Sequence, residues 1–283
     1  MSQQTREVLQ MPQLPNPADL DETPGAVLNN GRWHYLETSM NRIMRDPDAG
    51  VDTGSFVGLY TAVTNYTTSG KGAHFPKRDE SGSGPPPGAH NLGGYLYARL
   101  LGWLSDYLGD LKELIKPYSG EDLLCRYFEE WHRYITSAKR IRRFFQYFDR
   151  HWIRREQDEG NKKVFDVYTS FVIKWRQEIY SGVCGDLVDV VRELGEKHFH
   201  GEALEHPQTK TVMDRAKSLE LEDPFDPYAI GSAQLALWET LHPGLEPDYE
   251  GFKQLLIRID PSYKGTDEGS AEDVDMHTNA PAT

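Results

Sequence analysis

The strongest constraint on the fold is a nearly unbroken helical repeat of large apolar side chains between Leu123 and Tyr180. Its members recur every three or four residues, the spacing that places side chains on one face of an α-helix. No hairpin turn and no useful run of alternating apolar and polar residues appears elsewhere. The sequence therefore predicts an all-α fold in which helices pack against helices.

The same periodicity predicts helices along the rest of the chain. They run from Trp33 to Met44, from Thr53 or Ser55 to Thr68, from Tyr95 to Ile115 and from Leu187 to Leu194. Within the central repeat, Thr136 or Ser137 has the side chain of an N-cap, which predicts a separate helix from there to about Arg155. Either candidate residue at the start of the second helix could likewise be its cap.

Stretches without this periodicity divide the chain. Residues 1–30 are polar with scattered prolines and are predicted to be a disordered leader. Residues 31–222 are predicted to form one helical domain, interrupted at 69–94 by a flexible loop rich in Gly, Ser and Pro. Residues 223–260 suggest a short helical extension, and residues 261–283 a disordered acidic tail.

Charge and cysteine content narrow the class of protein. A net charge of −13 repels phosphate, so we expect neither nucleic acid nor an anionic membrane as a partner. Only Cys125 and Cys184 are present, and no signal peptide or long apolar span precedes them. These features indicate a reducing compartment, the cytoplasm or the nucleus.

The segment around Phe144 carries two lines of side chains. The first line is expected to face the core and consists of Ile141, Phe145, Phe148 and Trp152. The second lies about a third of a turn away and consists of Arg140, Phe144, Tyr147 and His151. A helix buried on both flanks would need such a wide face, whereas aromatic side chains exposed beside arginine are typical of protein interfaces. Periodicity alone leaves both interpretations open.

The helix ending at Thr68 repeats this arrangement. Its first line consists of Leu59, Val63 and Tyr66, and its second of Phe56, Val57, Tyr60 and Thr64. The two second lines could form one surface, although the spacing does not indicate whether they are adjacent.

The stretch YFDRHWIRREQDEGNKKVFDVYTSFVIKW, from Tyr147 to Trp175, closely resembles the N-terminal region of the cullin family, especially its SCF-type fungal and animal members. LYTAVTNYTTS, GGYLYARLLGWLSDYL and YFEEWHRY match upstream in the same order, and the resemblance covers about residues 33–221. It implies a first cullin repeat: a five-helix bundle whose second and fifth helices bind a Skp-type adaptor carrying an F-box receptor. Ubiquitin-dependent protein catabolism is the implied process.

The resemblance also implies which residues would contact the adaptor. They are Phe56, Val57, Tyr60 and Thr64 on the first helix, with Phe144, Tyr147 and His151 on the other, beside Arg140. Thr64 stands where the family usually has Tyr, and Phe56 where Tyr is common, which alters part of the expected contact.

The sequence after Leu221 does not resemble further cullin repeats or the domain that recruits a RING protein, so no RING partner is expected. One interpretation is a cullin-like scaffold, and a related one is a truncated competitor of a full-length cullin. The alternative is a structural helical protein that has lost adaptor binding.

Catalytic or metal chemistry is not indicated. His198, His200 and His206 match no common zinc spacing, and no hydrolase, phosphate-loop or dinucleotide motif occurs. Arg150, Arg154 and Arg155 could mark a phosphate site, but alternating charges on a helix more often form a salt-bridged face. The sequence predicts a non-catalytic binding protein without a cofactor or metal.

Overall fold

The computed structural model of the protein describes residues 8–15, 31–68, 92–199 and 209–210. The chain divides into two units, residues 1–183 and 184–283. The extension predicted at 223–260 and the tail at 261–283 lie outside the described residues, as does the predicted loop up to residue 91. Residues 92–94, the last three of the predicted loop, instead begin a helix.

The described residues form five helices, which confirms the all-α prediction. They are α1 (Gly31–Arg45), α2 (Thr53–Thr68), α3 (Leu92–Ile115), α4 and α5. Helix α4 comprises Gly120–Phe148, a π-helical segment Asp149–Ile153 and a last turn Arg154–Asp158. Helix α5 comprises Val167–Trp175, a π-helical segment Arg176–Tyr180 and Ser181–Phe199. None of the helices in the described part of the chain is long and apolar enough to cross a membrane.

Helix α4 is a single helix where the sequence predicted two. Ser137, a candidate cap, is buried in its interior, and its hydroxyl donates to the carbonyls of Arg133 (2.9 Å) and Ile43 (3.2 Å). A serine can satisfy its hydroxyl on a carbonyl four residues back without ending the helix, so the predicted boundary is wrong. The surface expected on a fifth helix therefore lies on the C-terminal half of α4.

Aspartates cap two of the helices. Asp52 accepts the amide of Ser55 (2.9 Å), so the cap of α2 is this residue rather than Thr53 or Ser55. Asp166 accepts the amide of Thr169 (3.1 Å) at the start of α5. The short acidic acceptor satisfies amides that have no partner within the helix.

Gly160 ends α4. Its φ of 89° lies in the left-handed region, and its amide donates to the carbonyl of Gln157 at 3.0 Å. The amide of Asn161 donates to the carbonyl of Glu156 at 2.9 Å. These two bonds form a Schellman motif, which explains the glycine in the DEG sequence.

Aromatic side chains from α4 and α5 form the centre of the first unit: Tyr127, Trp131, Tyr134, Phe171 and Trp175. The Trp175 ring centroid lies 5.0 Å from that of Tyr134 and 5.5 Å from that of Tyr127. The Trp175 indole donates to the Tyr127 hydroxyl (2.8 Å), and the Tyr134 hydroxyl donates to the Phe171 carbonyl (3.0 Å). Each buried polar tip therefore has a partner, as a dry aromatic core requires.

A second aromatic group joins the start of α3 to the π-helical segment of α4. The Trp152 ring stacks on Phe148 at a centroid distance of 5.0 Å and lies 5.6 Å from Tyr97. The backbone of Gly93 approaches the indole so closely that an added Cβ would lie 2.2 Å from its Cδ1. Only glycine fits this contact without displacing the ring.

Within the described segment 8–15, Val8 and Leu9 pair with the turn before α2. Val8 forms an isolated parallel bridge with Gly50, whose carbonyl accepts the amide of Leu9 at 2.8 Å. Leu14 lies beside Gly58 of α2. For these residues the pairing differs from the expectation of a disordered leader, while 1–7 and 16–30 lie outside the described residues.

Candidate functional site

Helices α2 and α4 pack against each other, and one side-chain contact between them lies close to the predicted second lines. The Arg143 guanidinium lies 5.5 Å from the centroid of the Phe56 ring. Arg143 is exposed and Phe56 is half-buried, so this contact lies at the protein surface. Cation–π contacts at exposed sites are worth about 0.5–1 kcal/mol, which is sufficient to favour this placement of the two side chains.

One further contact, taken with that of Arg143, indicates the relative direction of these helices. The Arg140 guanidinium donates to the carbonyl of Ala49, which precedes α2, and Arg143 follows at Phe56. From the first contact to the second, the residue number increases on both helices. The helices therefore run in roughly the same direction where they touch. One turn further along each helix, Tyr60 is therefore about level with Tyr147.

The α2 residues divide as the sequence predicted. Leu59, Val63 and Tyr66 are fully buried, which confirms the core line. On the other line Val57 is 55% exposed, while Tyr60 is half-buried. Thr64 is half-buried and its hydroxyl donates to the Tyr60 carbonyl at 2.9 Å, so this polar group is already satisfied within the helix.

On α4 the core line is again confirmed: Ile141, Phe145, Phe148 and Trp152 are buried. Tyr147 is half-buried and His151 is exposed, with their ring centroids 4.2 Å apart. Together with Phe56, Val57 and Tyr60, these two residues define what we call the α2–α4 surface. Its members are aromatic or apolar side chains that retain access to solvent.

The burial of Phe144 differs from the prediction that this side chain faces a partner. The side chain is only 2% exposed and packs against Phe145 at a ring-centroid distance of 5.4 Å. At about 100° per residue Phe144 lies about 40° around the helix from Phe148, whereas Tyr147 lies about 100° away. Phe144 is therefore a core residue of the isolated chain and is not presented on the α2–α4 surface.

Arg140 also differs from its predicted role. It is half-buried, and its bond to Ala49 ties α4 to the turn before α2. The exposed arginine at the surface is instead Arg143, which sequence reasoning missed. Its position one turn after Lys139 was visible in the sequence, but its contact with Phe56 depends on the packing of two distant segments.

Asp149 lies between Tyr147 and His151 in the π-helical segment, and its Oδ1 accepts the amide of Val167 at 3.0 Å. Burial raises the pKa of its carboxyl to about 7, and the neighbouring charge of Asp166 acts in the same direction. The Val167 amide and the Arg142 guanidinium oppose this rise. The carboxyl anchors the end of α4 to the start of α5 and is half-buried.

No cluster of three His, Cys, Asp or Glu side chains with metal-binding geometry occurs among the described residues. The side chains of His198, His200 and His206, which match no common zinc spacing, lie outside that description. The α2–α4 surface itself consists of apolar, aromatic and imidazole groups. Its chemistry suits burial against another macromolecule.

Comparison with known proteins gives a consistent assignment. The family described as "Cullin: Cullin alpha solenoid domain" matches residues 33–230. Cullin-1 of Dictyostelium discoideum is 29% identical over 194 residues, which cover 67% of this chain and 24% of that protein. Cullin-1 of Schizosaccharomyces pombe is 28% identical over 194 residues, covering 68% and 25% respectively.

Cell division control protein 53 of Saccharomyces cerevisiae is 22% identical over 225 residues, covering 75% of this chain and 25% of that protein. The chain thus spans about a quarter of the length of the curated relatives it matches. In cullins the matched N-terminal region is a non-catalytic scaffold that binds adaptors in ubiquitin ligase complexes. The helical architecture and the family match over most of the chain lead to one conclusion: this protein belongs to the cullin family and contains its α-solenoid domain.

Proposed function

We propose that the chain binds a Skp-type adaptor carrying an F-box receptor through the α2–α4 surface. The observation that carries this proposal is the contact of Arg143 on α4 with Phe56 on α2, which supports a single surface formed by both helices. The bound complex would act in ubiquitin-dependent protein catabolism, in the cytoplasm or the nucleus. This role requires no catalytic residue on the chain.

The composition of the surface supports a protein partner. Tyr60, Tyr147 and Phe56 combine large apolar area with few rotatable bonds, and they are only partly covered in the isolated chain. A standard interface buries on the order of 1,600 Å² in total, and removing a central aromatic commonly costs about 2 kcal/mol or more. We therefore expect the two tyrosines to dominate the affinity, with Val57 and His151 around them.

The test is the affinity of a purified Skp-type adaptor with bound F-box protein for the Tyr60→Ala, Tyr147→Ala double variant, measured by calorimetry. We expect a loss of about 30-fold or more, since 1.4 kcal/mol corresponds to a factor of ten. Tyr118→Ala is the matched control, because Tyr118 is 43% exposed but follows the far end of α3. Unchanged affinity in the double variant, with the variant folded at the temperature of the assay, would refute the proposal.

A chain with this surface would occupy the same adaptor site as a full-length cullin, so their binding is expected to be mutually exclusive. Adding the 283-residue chain to a preformed complex of cullin and adaptor should displace the cullin in proportion to concentration. The alternative function, a structural helical protein that has lost adaptor binding, is favoured only by Thr64, where the family usually has Tyr. Failure of the wild-type chain to recover any adaptor would select that alternative.

A further inference from the structure

A row of three exposed basic side chains runs along α4 beside the α2–α4 surface: Lys139, Arg143 and Arg150. The spacings of four and seven residues place all three within about 40° of one another around the helix. Arg143 borders the α2–α4 surface, because its guanidinium lies 5.5 Å from the centroid of the Phe56 ring. We call these three residues the basic row.

The row stands out against the charge of the whole chain. Residues 139–155 contain seven Lys and Arg residues and one acidic residue, Asp149. The remainder of the chain has 24 basic and 43 acidic residues, so this helix half is a positive region on a negative protein. A local excess of one sign creates a field that orients an approaching charged partner.

The other arginines of this segment are engaged within the chain. Arg142 lies over the Tyr168 ring at 5.8 Å, Arg154 lies 4.0 Å from the Asp158 carboxylate, and Arg155 lies 3.6 Å from that of Glu159. These pairs confirm the predicted salt-bridged face for Arg154 and Arg155, whereas Arg150, which is predicted to lie on the same face, forms no ion pair within the described residues.

The basic row differs from these arginines. No ion pair joins its members to an acidic side chain within residues 8–15, 31–68, 92–199 or 209–210. Its positive charges are therefore not neutralised in that part of the chain.

We infer that the partner bound at the α2–α4 surface presents a carboxylate-rich edge to the basic row; this inference rests on the proposed function. Three guanidinium or ammonium groups at the border of an aromatic surface match an acidic protein rim in both charge and position. A nucleic acid fits less well, because the acidic remainder of the chain repels a long phosphate polymer.

Rim charges act mainly on the rate of association. They attract the partner before contact, whereas each exposed ion pair contributes little to the final affinity. We therefore expect Lys139→Glu with Arg150→Glu to lower the association rate constant with the adaptor complex by about tenfold at about 0.1 M salt. The dissociation rate should change by less than about threefold. Arg143 is left intact because replacing it would also remove the contact with Phe56.

The matched control is Lys112→Glu with Lys116→Glu, which changes the charge equally. Both lysines are exposed at the C-terminal end of α3, about 30 Å along that helix from Gly93, which packs against Trp152 of α4. The control should retain the wild-type association rate. At about 1 M salt, where the screening length falls to about 3 Å, all three proteins should associate at similar rates.

The outcomes separate this inference from the proposed function. If wild-type chain does not bind the adaptor complex, both fail. If it binds but the basic-row variant and the wild type associate equally fast at both salt concentrations, only the inference is overturned. It is also overturned if the variant keeps its adaptor kinetics but loses binding to vesicles of phosphatidylcholine and phosphatidylserine, because the row would then serve a membrane.

Discussion

Replacing Gly93 with alanine tests the close approach of the α3 backbone to the Trp152 ring. The new Cβ would lie 2.2 Å from Cδ1 of Trp152 and 2.4 Å from its Cγ and Nε1, where ordinary carbon contacts begin near about 3.5 Å. The indole cannot move freely, because it is buried, stacks on Phe148 and borders Tyr97. The ring or the start of α3 must therefore shift by about 1 Å.

The expected change in the free energy of unfolding of Gly93→Ala follows from two opposing effects. Forcing extra atoms into a packed core typically costs about 1–3 kcal/mol, while replacing glycine by alanine inside a helix gains up to about 1 kcal/mol. Gly93 is the second residue of α3, where the helix gain is small, so we expect a net loss of about 1–3 kcal/mol. Gly102→Ala is the control on the same helix: its Cβ would meet nothing within 4 Å, and we expect a gain of up to about 1 kcal/mol.

Urea unfolding followed by far-UV circular dichroism measures both free energies of unfolding. A double variant of Gly93→Ala with Trp152→Leu should lose less than the sum of the two single variants, because the smaller side chain relieves the overlap. Equal stabilities of Gly93→Ala and Gly102→Ala would refute this account of the contact.

Two further predictions concern α4. Because the folded Asp149 carboxyl has a pKa of about 7 and the ordinary value is 3.8, the folded state binds more protons between these values, and its stability falls as pH rises through this range. Asp149→Asn should therefore exceed the wild type by on the order of 1–4 kcal/mol at pH 8 and differ little near pH 4; a difference independent of pH in urea titrations would contradict this. Phe144→Ala should lower the free energy of unfolding by about 3–5 kcal/mol and Tyr147→Ala by about 1 kcal/mol, and equal losses would argue against the burial assigned to them.

Periodicity predicted the core because burial on a helix follows a regular angle. Leu59 and Phe145 lie on the lines expected to face the core, and both side chains are buried. It failed at Ser137, since a serine can bond a carbonyl four residues earlier as readily as it can cap a helix. The local sequence does not distinguish these two states.

Contacts between distant segments account for the other differences. The position of Arg143 over Phe56 depends on the packing of α2 against α4, and the burial of Phe144 cannot be read from its own spacing. The single bridge of Val8 with Gly50 needs no repeating pattern, so nothing in the polar leader indicated it. Whether a side chain at the edge of a helix face is buried depends on the neighbouring elements rather than on its own spacing.

The continuous α4 helix connects the aromatic centre of the first unit to the α2–α4 surface. Its fixed end is the aromatic centre around Tyr134, and Tyr147 lies 13 residues later, or about 20 Å along the axis. A tilt on the order of 10° at the centre would displace Tyr147 by about 3 Å, which is more than the tolerance of a hydrogen bond or a close aromatic contact. The position of the α2–α4 surface is therefore set by packing in the core of the bundle. A substitution near Trp175 would displace this surface without contacting it.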